Sequence, residues 1–223
     1  GYTVVDLATV MITHLSDVIR RHSHELLGRQ EVQQLLDTLK KTHPKVVEEL
    51  IPNLLPLGGV VRVLQNLLKE QIPIRDLLAI LETLADWAPV TKDLDLLTDK
   101  ARQSLVRTIT KLHQTPEGVI PAVTLSPAVE SILSEAIQQA EQGGIMALDP
   151  AIAQKIINNL AAQLENAAAS NYQPLVMCSA PIRSQFKKLV ERFIPNAPVI
   201  SYDEILNSVE IKSLGTVELS DAD

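Results

Sequence analysis

Apolar residues recur at steps of three and four positions along the first part of the chain, which is the period of an amphipathic helix. The apolar positions there are Leu7, Val10, Met11, Leu15, Val18, Ile19 and Leu26. The pattern predicts a helix from Asp6 to Leu26, which Gly28 would end. Residues 1–5 read as a strand, and a strand needs partners for its backbone groups. We expect those partners upstream of Gly1, in a longer protein.

Residues 29–113 carry the helical period almost throughout. Their apolar stripes are, in order, Val32 to Leu39, Val60 to Leu68, Ile74 to Leu84 and Leu97 to Leu112. The prolines of this region lie between the stripes or at their starts, where a missing backbone N–H costs least. We therefore predict a compact subdomain made only of helices.

The pattern changes after His113, where residues 115–118 read as a turn and Val119 to Leu125 as a short strand. Ser126-Pro127 and Asp149-Pro150 each have a capping residue followed by a proline suited to the first helical position. They predict helices of about 16 and 20 residues, separated by Gly143-Gly144.

A buried strand is predicted next, from Leu175 to Cys178, and Pro181 opens a helix that runs to about Phe193. Two further strands are predicted at Val199 to Tyr202 and Val209 to Leu219. Strands separated by helices favour crossover connections and a sheet with helices packed on its face. For the last two strands, direct pairing through the short loop at Asn207 is also open.

Together these patterns predict an α+β protein that is mostly helical. Residues 1–28 would be the terminal strand and helix of an upstream subdomain. Residues 29–113 would form the helical subdomain, and residues 114–223 a small C-terminal α/β subdomain.

The composition of the chain disfavours several classes of function. The chain has 20 Lys and Arg against 27 Asp and Glu, a formal net charge of −7, and only 3% aromatic residues. Excess negative charge and scarce aromatic rings both disfavour nucleic-acid binding. The single cysteine, Cys178, excludes an intrachain disulfide and is interpreted as a small buried hydrophobe. The apolar runs are too short to cross a membrane.

Motifs of catalysis are missing from the sequence. The glycine pairs Gly58-Gly59 and Gly143-Gly144 lack the Lys-Ser/Thr of a phosphate-binding loop. His14, His22 and His24 lack the i, i+4 spacing that metal ligands take on a helix. We therefore predict no catalytic, cofactor-binding or metal-binding residues.

An enzyme that uses the α/β tail stays an alternative. Parallel sheets often bind ligands at the carboxyl ends of their strands. A pocket lined there by Ser179, Arg183 or Asp203 would favour this alternative.

Several segments resemble the C-terminal cytoplasmic part of the FlhA family of flagellar and type III secretion export gates. The likeness is specific in residues 25–37 (ELLGRQEVQQLLD), 63–68 (VLQNLL) and 73–86 (PIRDLLAILETLAD). Residues 199–205 and 210–218 resemble the C-terminal strands of that family. The flagellar branch fits better than the virulence branch because of these strands and of the segment GRQE that begins at Gly28.

The resemblance implies a bacterial inner-membrane protein with this part on the cytoplasmic side, anchored through an N-terminal transmembrane region that this chain does not include. It implies a docking platform, not an enzyme, that forms a ring of nine subunits through its helical subdomain. The implied partners are export chaperones carrying their substrates and soluble components of the ATPase complex.

The resemblance also implies one partner-binding residue. It places Thr13 on a wall of a hydrophobic depression that binds chaperones, with the remaining residues of that depression upstream of Gly1. Leu7 stands where relatives often have proline, so we expect the start of the first helix to be less fixed locally.

Overall fold

The structure, a computed structural model, describes residues 6–141, 148–169 and 172–219. It divides into two compact units, Gly1–Leu105 and Val106–Asp223. The strand predicted at residues 1–5 and the predicted separator Gly143-Gly144 lie outside the described residues.

Helices form the described part of the first unit, as predicted. They are α1 (Leu7–Arg21), α2 (Ser23–Leu26), α3 (Arg29–Lys40), α4 (Pro44–Glu49), α5 (Leu57–Lys69), α6 (Leu77–Trp87) and α7 (Leu94–Ser104). Between α4 and α5, the segment Leu50–Leu54 is irregular, with extended backbone at Ile51.

The single helix predicted from Asp6 to Leu26 is divided at His22, whose backbone (φ −103°, ψ 11°) is not helical. The hydroxyl of Ser23 donates a hydrogen bond to the carbonyl of Arg20 at 3.0 Å. A serine side chain that competes in this way for backbone groups favours a break in a helix.

The core of the first unit lies around α5, which packs against α2, α3 and α7. The fully buried side chains of α5 are Val60, Val63, Leu64 and Leu67. At its C-terminus Gln71 takes the left-handed conformation (φ 60°), and the N–H of Ile72 donates to the carbonyl of Leu67 at 2.9 Å. This Schellman ending turns the chain back over the core.

A buried ion pair links α7 to the end of α5. Nη1 of Arg102 lies 2.8 Å from Oε2 of Glu70, and the Arg102 side chain is almost wholly buried. One turn earlier on each helix, Nδ2 of Asn66 donates to Oγ1 of Thr98 at 3.1 Å. The polar contacts thus fix the register of the two helices beside their apolar packing.

The second unit contains helices and a small parallel sheet. Its elements are α8 (Val106–His113), β1 (Val119–Leu125), α9 (Pro127–Glu141), α10 (Pro150–Ala169), β2 (Leu175–Cys178), α11 (Ala180–Glu191), β3 (Val199–Ser201), a 3-10 turn (Tyr202–Glu204) and β4 (Glu210–Val217). The strand order is β3-β2-β1-β4, and every pair is parallel. The predicted fold class, mostly helical α+β, is confirmed.

The two helix starts predicted from a capping residue followed by proline are confirmed. The N–H of Val129 donates to Oγ of Ser126 at 3.4 Å, and the N–H of Ala151 donates to Oδ1 of Asp149 at 2.8 Å. Each capping side chain therefore satisfies a backbone donor that the first turn of a helix leaves free.

Direct pairing of the last two strands through the loop at Asn207 is wrong. β3 pairs with β2, whereas β4 pairs with β1 at the opposite edge of the sheet. Direct pairing would have been antiparallel and would have left the outer edge of β1 open. In the observed order β4 covers that edge, which removes a row of unpaired backbone groups.

Helices α9, α10 and α11 pack on the sheet and form the core of this unit. From the strands this core takes Val123, Leu125, Val176, Cys178, Val199 and Val217, and from the helices Val129, Leu133, Ile156, Leu160, Ile182 and Phe186. Ala122, Met177 and Ile200 alternate with the strand residues of this core and therefore point to the other face, where they are also buried.

The apolar stripe predicted from Leu97 to Leu112 is not one helix. α7 ends at Ser104, and α8 belongs to the second unit, so the unit boundary falls after Leu105 and not after His113. The N–H of Leu206 donates to Oγ1 of Thr110 at 3.0 Å, which holds α8 beside the turn that follows β3. The division at residue 28 stays a prediction.

The two adjacent glycines of α5 should respond differently to alanine. A Cβ at Gly59 would lie 2.9 Å from Cγ of the buried Leu55, whereas one at Gly58 would meet only the guanidinium of Arg29, at 3.3 Å. We expect Gly59→Ala to lower the free energy of unfolding by about 1–2 kcal/mol, because overpacking exceeds the gain in helix propensity. Gly58→Ala, the matched control, should leave it unchanged or raise it by up to about 1 kcal/mol.

The single tryptophan, Trp87, lies in the first unit, so its fluorescence during urea titration reports on that unit alone. An equal or higher free energy of unfolding for Gly59→Ala would contradict the packing described for α5.

Candidate functional site

Helix α1 starts at a well-formed cap. The N–H and the hydroxyl of Thr9 donate to the two carboxylate oxygens of Asp6 at 2.8 and 2.9 Å. These hydrogen bonds, the backbone one first, hold the pKa of Asp6 below its ordinary value. The start of the helix is therefore fixed by Asp6, contrary to the expectation that Leu7 would leave it less fixed.

No residue of α1 is buried within the described part of the chain. Its large apolar side chains lie on one side of the helix, over an arc of about 140° at about 100° per residue. They are Leu7 (75% exposed), Met11 (64%) and Leu15 (59%), with Ile12, Val18 and Ile19 beside them. We call these six residues the apolar stripe of α1. Such a stripe is typical of a helix that packs against another part of a protein.

Thr13, the partner-binding residue implied by the resemblance, lies on the other side of α1. It is about 160° around the helix from both Met11 and Leu15. Its side chain is exposed, and within the described residues its hydroxyl has no hydrogen-bond partner. Thr13 therefore neither caps the helix nor packs inside it, and its side chain is available for contact.

The surface around Thr13 is mainly polar. A shallow concavity along α1 is lined by Thr9, Val10, Ile12, Thr13, His14, Ser16, Asp17 and Arg20. Thr9, Ser16 and Arg20 lie within about 60° of Thr13 around the helix. The described residues thus place hydroxyl groups beside Thr13, and of the predicted hydrophobic depression they supply only the edge formed by Val10 and Ile12.

The carboxyl end of the sheet, the alternative site, is occupied by internal contacts. Arg183 is 3% exposed, and its Nε lies 3.5 Å from Oε1 of Glu204, which is 1% exposed. The N–H of Ser179 donates to Oε1 of Glu130 at 2.9 Å. Asp203 is exposed and is not part of this ion pair. Arg183 and the backbone N–H of Ser179 therefore contact other parts of the fold, and of the three candidate residues only Asp203 is exposed.

Tyr202 lies at the same end of the sheet. Partial burial, and then the negative charge of Glu130, raises the pKa of its hydroxyl group above the ordinary value. The phenol therefore stays protonated near neutral pH.

Cys178 is fully buried in the core of the second unit, and its Sγ lies 3.9 Å from the carbonyl oxygen of Ile200. This burial agrees with the interpretation of Cys178 as a small apolar residue. Over the ranges that the structure describes, His, Cys, Asp and Glu form no group of three that could hold a metal ion.

In the same ranges no helix combines the length and the apolar character that a membrane span requires.

Comparison with known proteins agrees with this architecture. The chain is 42% identical over 219 residues to the flagellar biosynthesis protein FlhA of Bacillus subtilis, and 35% identical over 217 residues to FlhA of Escherichia coli. These alignments cover 98% and 97% of the chain but only 32% and 31% of the relatives. The chain thus spans about a third of the length of these relatives.

Solved structures share the fold. The CdsV protein of Chlamydia pneumoniae matches with a TM-score of 0.84 at 33% identity, covering 94% of this chain and 60% of that one. The nonameric SctV-C of EPEC matches with a TM-score of 0.80 at 30% identity, covering 91% and 61%. The chain therefore shares a helical unit followed by an α/β unit with the class of flagellar and type III secretion export gates.

Within that class the family is clear. The family model FHIPEP matches residues 1–210, and the chain belongs to the FHIPEP family. The resemblance to FlhA-type export gates drawn from the sequence is confirmed.

The Arg183–Glu204 pair should contribute to stability. We expect Glu204→Gln to lower the free energy of unfolding by about 3 kcal/mol, because it leaves a buried guanidinium without its carboxylate. Asp203→Asn, at an exposed neighbouring position, should change it by less than about 0.5 kcal/mol. Urea unfolding followed by circular dichroism makes the comparison. Equal stability of the two variants would return Arg183 to the list of candidate ligand-binding residues.

Proposed function

We propose that the chain is part of the cytoplasmic docking platform of a flagellar protein-export gate. The observation that carries the proposal is α1, a capped helix whose two sides are both exposed and chemically different. A helix that exposes an apolar stripe on one side and unpaired hydroxyls on the other has surfaces for two different contacts.

In this proposal the two sides of α1 have separate roles. The apolar stripe packs against residues that the longer relatives have and this chain does not span, which completes a subdomain. Thr13 then points away from that core and forms one wall of a docking surface for export chaperones carrying their substrates. Val10 forms its apolar edge, and residues outside this chain supply the rest of the docking surface.

A second proposed partner is a soluble component associated with the export ATPase. CdsV of Chlamydia pneumoniae has been solved in complex with CdsO, and that CdsV chain matches this one with a TM-score of 0.85 at 33% identity. We propose that this chain binds a component of the corresponding kind.

Self-association into a ring is the third proposed interaction. The cytosolic domain of EscV, which matches with a TM-score of 0.77 at 31% identity, was solved as a nonamer. We propose a ring of nine subunits for the full-length protein, held at the inner membrane by a transmembrane region outside this chain. The helical subdomain, as far as Leu105, would make much of the subunit contact.

The platform is proposed to bind proteins and not to catalyse a reaction. Arg183 pairs with Glu204, and the backbone N–H of Ser179 donates to Glu130. These contacts within the fold argue against a ligand site at the carboxyl end of the sheet. A virulence-type export gate of the same family is the alternative. Higher identity to the Bacillus subtilis FlhA than to CdsV favours the flagellar branch.

The docking role of Thr13 can be tested in the complete cytoplasmic region. We expect Thr13→Met to raise the dissociation constant for a chaperone bound to its substrate at least about thirtyfold, because methionine fills the depression and removes a central anchor contact. Gln34→Met is the matched control, since it adds the same side chain at an exposed position of α3, outside the concavity. Its affinity should stay within about twofold of the unsubstituted protein.

Titration calorimetry measures these affinities, and circular dichroism checks that both variants fold. The 223-residue chain itself should bind the same complex at least about thirtyfold more weakly than the complete region, because it presents only part of the depression. Unchanged affinity in Thr13→Met would place the docking site elsewhere.

Ring formation should depend on the rest of the protein. We expect the 223-residue chain to remain monomeric at micromolar concentration, because without the membrane anchor and the additional subdomain the subunits lose effective concentration. Light scattering at that concentration is the measurement, and a stable nonamer would refute this expectation.

A further inference from the structure

The turn between α6 and α7 exposes apolar side chains on the first unit. Val90 is 74% exposed and Leu96 is 43% exposed, and Trp87 is partly exposed. Nζ of Lys100 lies 4.2 Å from the centre of the Trp87 ring, and Leu96 lies one turn before Lys100 on the same side of α7. The N–H of Val90 donates to the carbonyl of Trp87 at 2.9 Å. We call Trp87, Val90, Leu96 and Lys100 the turn surface.

The turn surface contains the single tryptophan of the chain. The chain has only two Phe and three Tyr besides, yet its largest aromatic side chain lies partly in solvent and not wholly in a core. Tryptophan is enriched among the residues that contribute most to contacts between proteins. The turn surface is thus a candidate docking surface, and it shares no residue with the concavity around Thr13.

Exposed carboxylates lie beside the turn surface. Asp86 and Asp93 are both exposed, and Oδ1 of Asp93 accepts from the N–H of Leu96 at 3.3 Å. The nearby cations do not neutralise them. Nζ of Lys92 donates to two backbone carbonyls, and Nζ of Lys100 donates to a glutamine side chain at 3.2 Å. The turn surface therefore combines apolar side chains with unpaired negative charge.

A surface of opposite charge lies where α3 meets α4. The run KKTHPK, which begins at Lys40, has three lysines and one histidine and no carboxylate. Of the two carboxylates of α4, Glu48 pairs with Lys40 at 2.9 Å, and Glu49 lies one turn beyond Lys45. Lys41 and Lys45 are exposed, and within the described residues neither has an ion pair. We call this segment the lysine run.

We propose that the turn surface of one copy of this chain docks on the lysine run of a second copy. The inference rests on the ring of the proposed function and names the two surfaces that meet in it. The aliphatic stems of Lys41 and Lys45 cover the apolar side chains of the turn surface, while their ammonium groups reach Asp86 and Asp93.

The contact joins two different surfaces, which decides the kind of assembly. Each copy uses its turn surface on one neighbour and keeps its lysine run for another. Contacts of this head-to-tail kind continue from copy to copy and close into a ring, whereas a surface that meets itself gives only a pair. The complementary charges of one chain therefore fit a cyclic assembly of identical chains.

Crosslinking of the full-length protein tests the contact, with any cysteine outside this chain replaced by serine. Cys178 is buried and therefore protected from the reagent. With Val90→Cys and Lys45→Cys in one chain, a bismaleimide should give a ladder of products larger than a dimer, because each copy is joined to two neighbours. Either substitution alone should give no ladder. The matched control combines Val90→Cys with Lys155→Cys, at an exposed position of α10, and should also give none.

Charge variants test the electrostatic part of the contact. Lys41→Glu combined with Lys45→Glu should raise the concentration at which the full-length protein assembles about tenfold, because two attractions become repulsions. Adding Asp86→Lys should restore part of this loss. Lys111→Glu combined with Lys155→Glu changes the net charge equally at exposed positions of the second unit, and should change that concentration less than about twofold.

Light scattering of the unsubstituted full-length protein separates this inference from the ring itself. Assembly of that protein without a ladder in the double-cysteine chain would overturn the contact and leave the ring in place. A loss of assembly that is equal in the two pairs of lysine variants would overturn it as well, since net charge would then be the cause. Failure of the unsubstituted protein to assemble would overturn both proposals.

Discussion

The helical unit depends on the burial of α5. Its side chains Val60, Leu64 and Leu67 have no exposed surface, and three neighbouring helices pack against them. Each buried aliphatic side chain of this kind contributes about 1.5–3 kcal/mol relative to exposure. Close approach of the preceding segment is possible because Gly59 has no side chain where Leu55 packs. Helices α2, α3 and α7 are thus positioned by one central helix.

Helix α1 is the exception to this arrangement. Its exposure is the observation on which the proposed function rests. It has the cap, the length and the apolar stripe of a core helix, yet the described residues cover neither of its sides. Exposing an apolar stripe of this size to water is unfavourable, so we expect another protein surface to cover it. In the proposed function Thr13 would then face outward.

The second unit combines a buried parallel sheet with a closed carboxyl edge. In many α/β proteins that edge binds ligands, because helix N-termini and loop residues converge there. Here the buried pair of Arg183 and Glu204 spans from α11 to the turn after β3. Removing either partner would leave an uncompensated buried charge, so the pair keeps the edge closed. The unit is therefore better suited to present its surface than to enclose a small molecule.

Local features of the sequence determined most of the elements and the class of fold. Capping residues such as Ser126 and Asp149, and the periods of apolar positions, predicted the helices and strands within a few residues. The family could also be recognised from short segments of the sequence. These signals depend on neighbours in the chain, which any window of the sequence contains.

Only the tertiary structure decided the strand order, the place of α8, the pairing of Arg183 and the exposure of α1. Each of these depends on residues far apart in the sequence, as in the contact between Thr110 and Leu206, 96 positions away. An apolar stripe predicts that a helix has a face to bury, but it does not name the surface that covers it. For the same reason Thr13 could be placed on a helix from the sequence, while its exposure within the described residues emerged only from the folded chain.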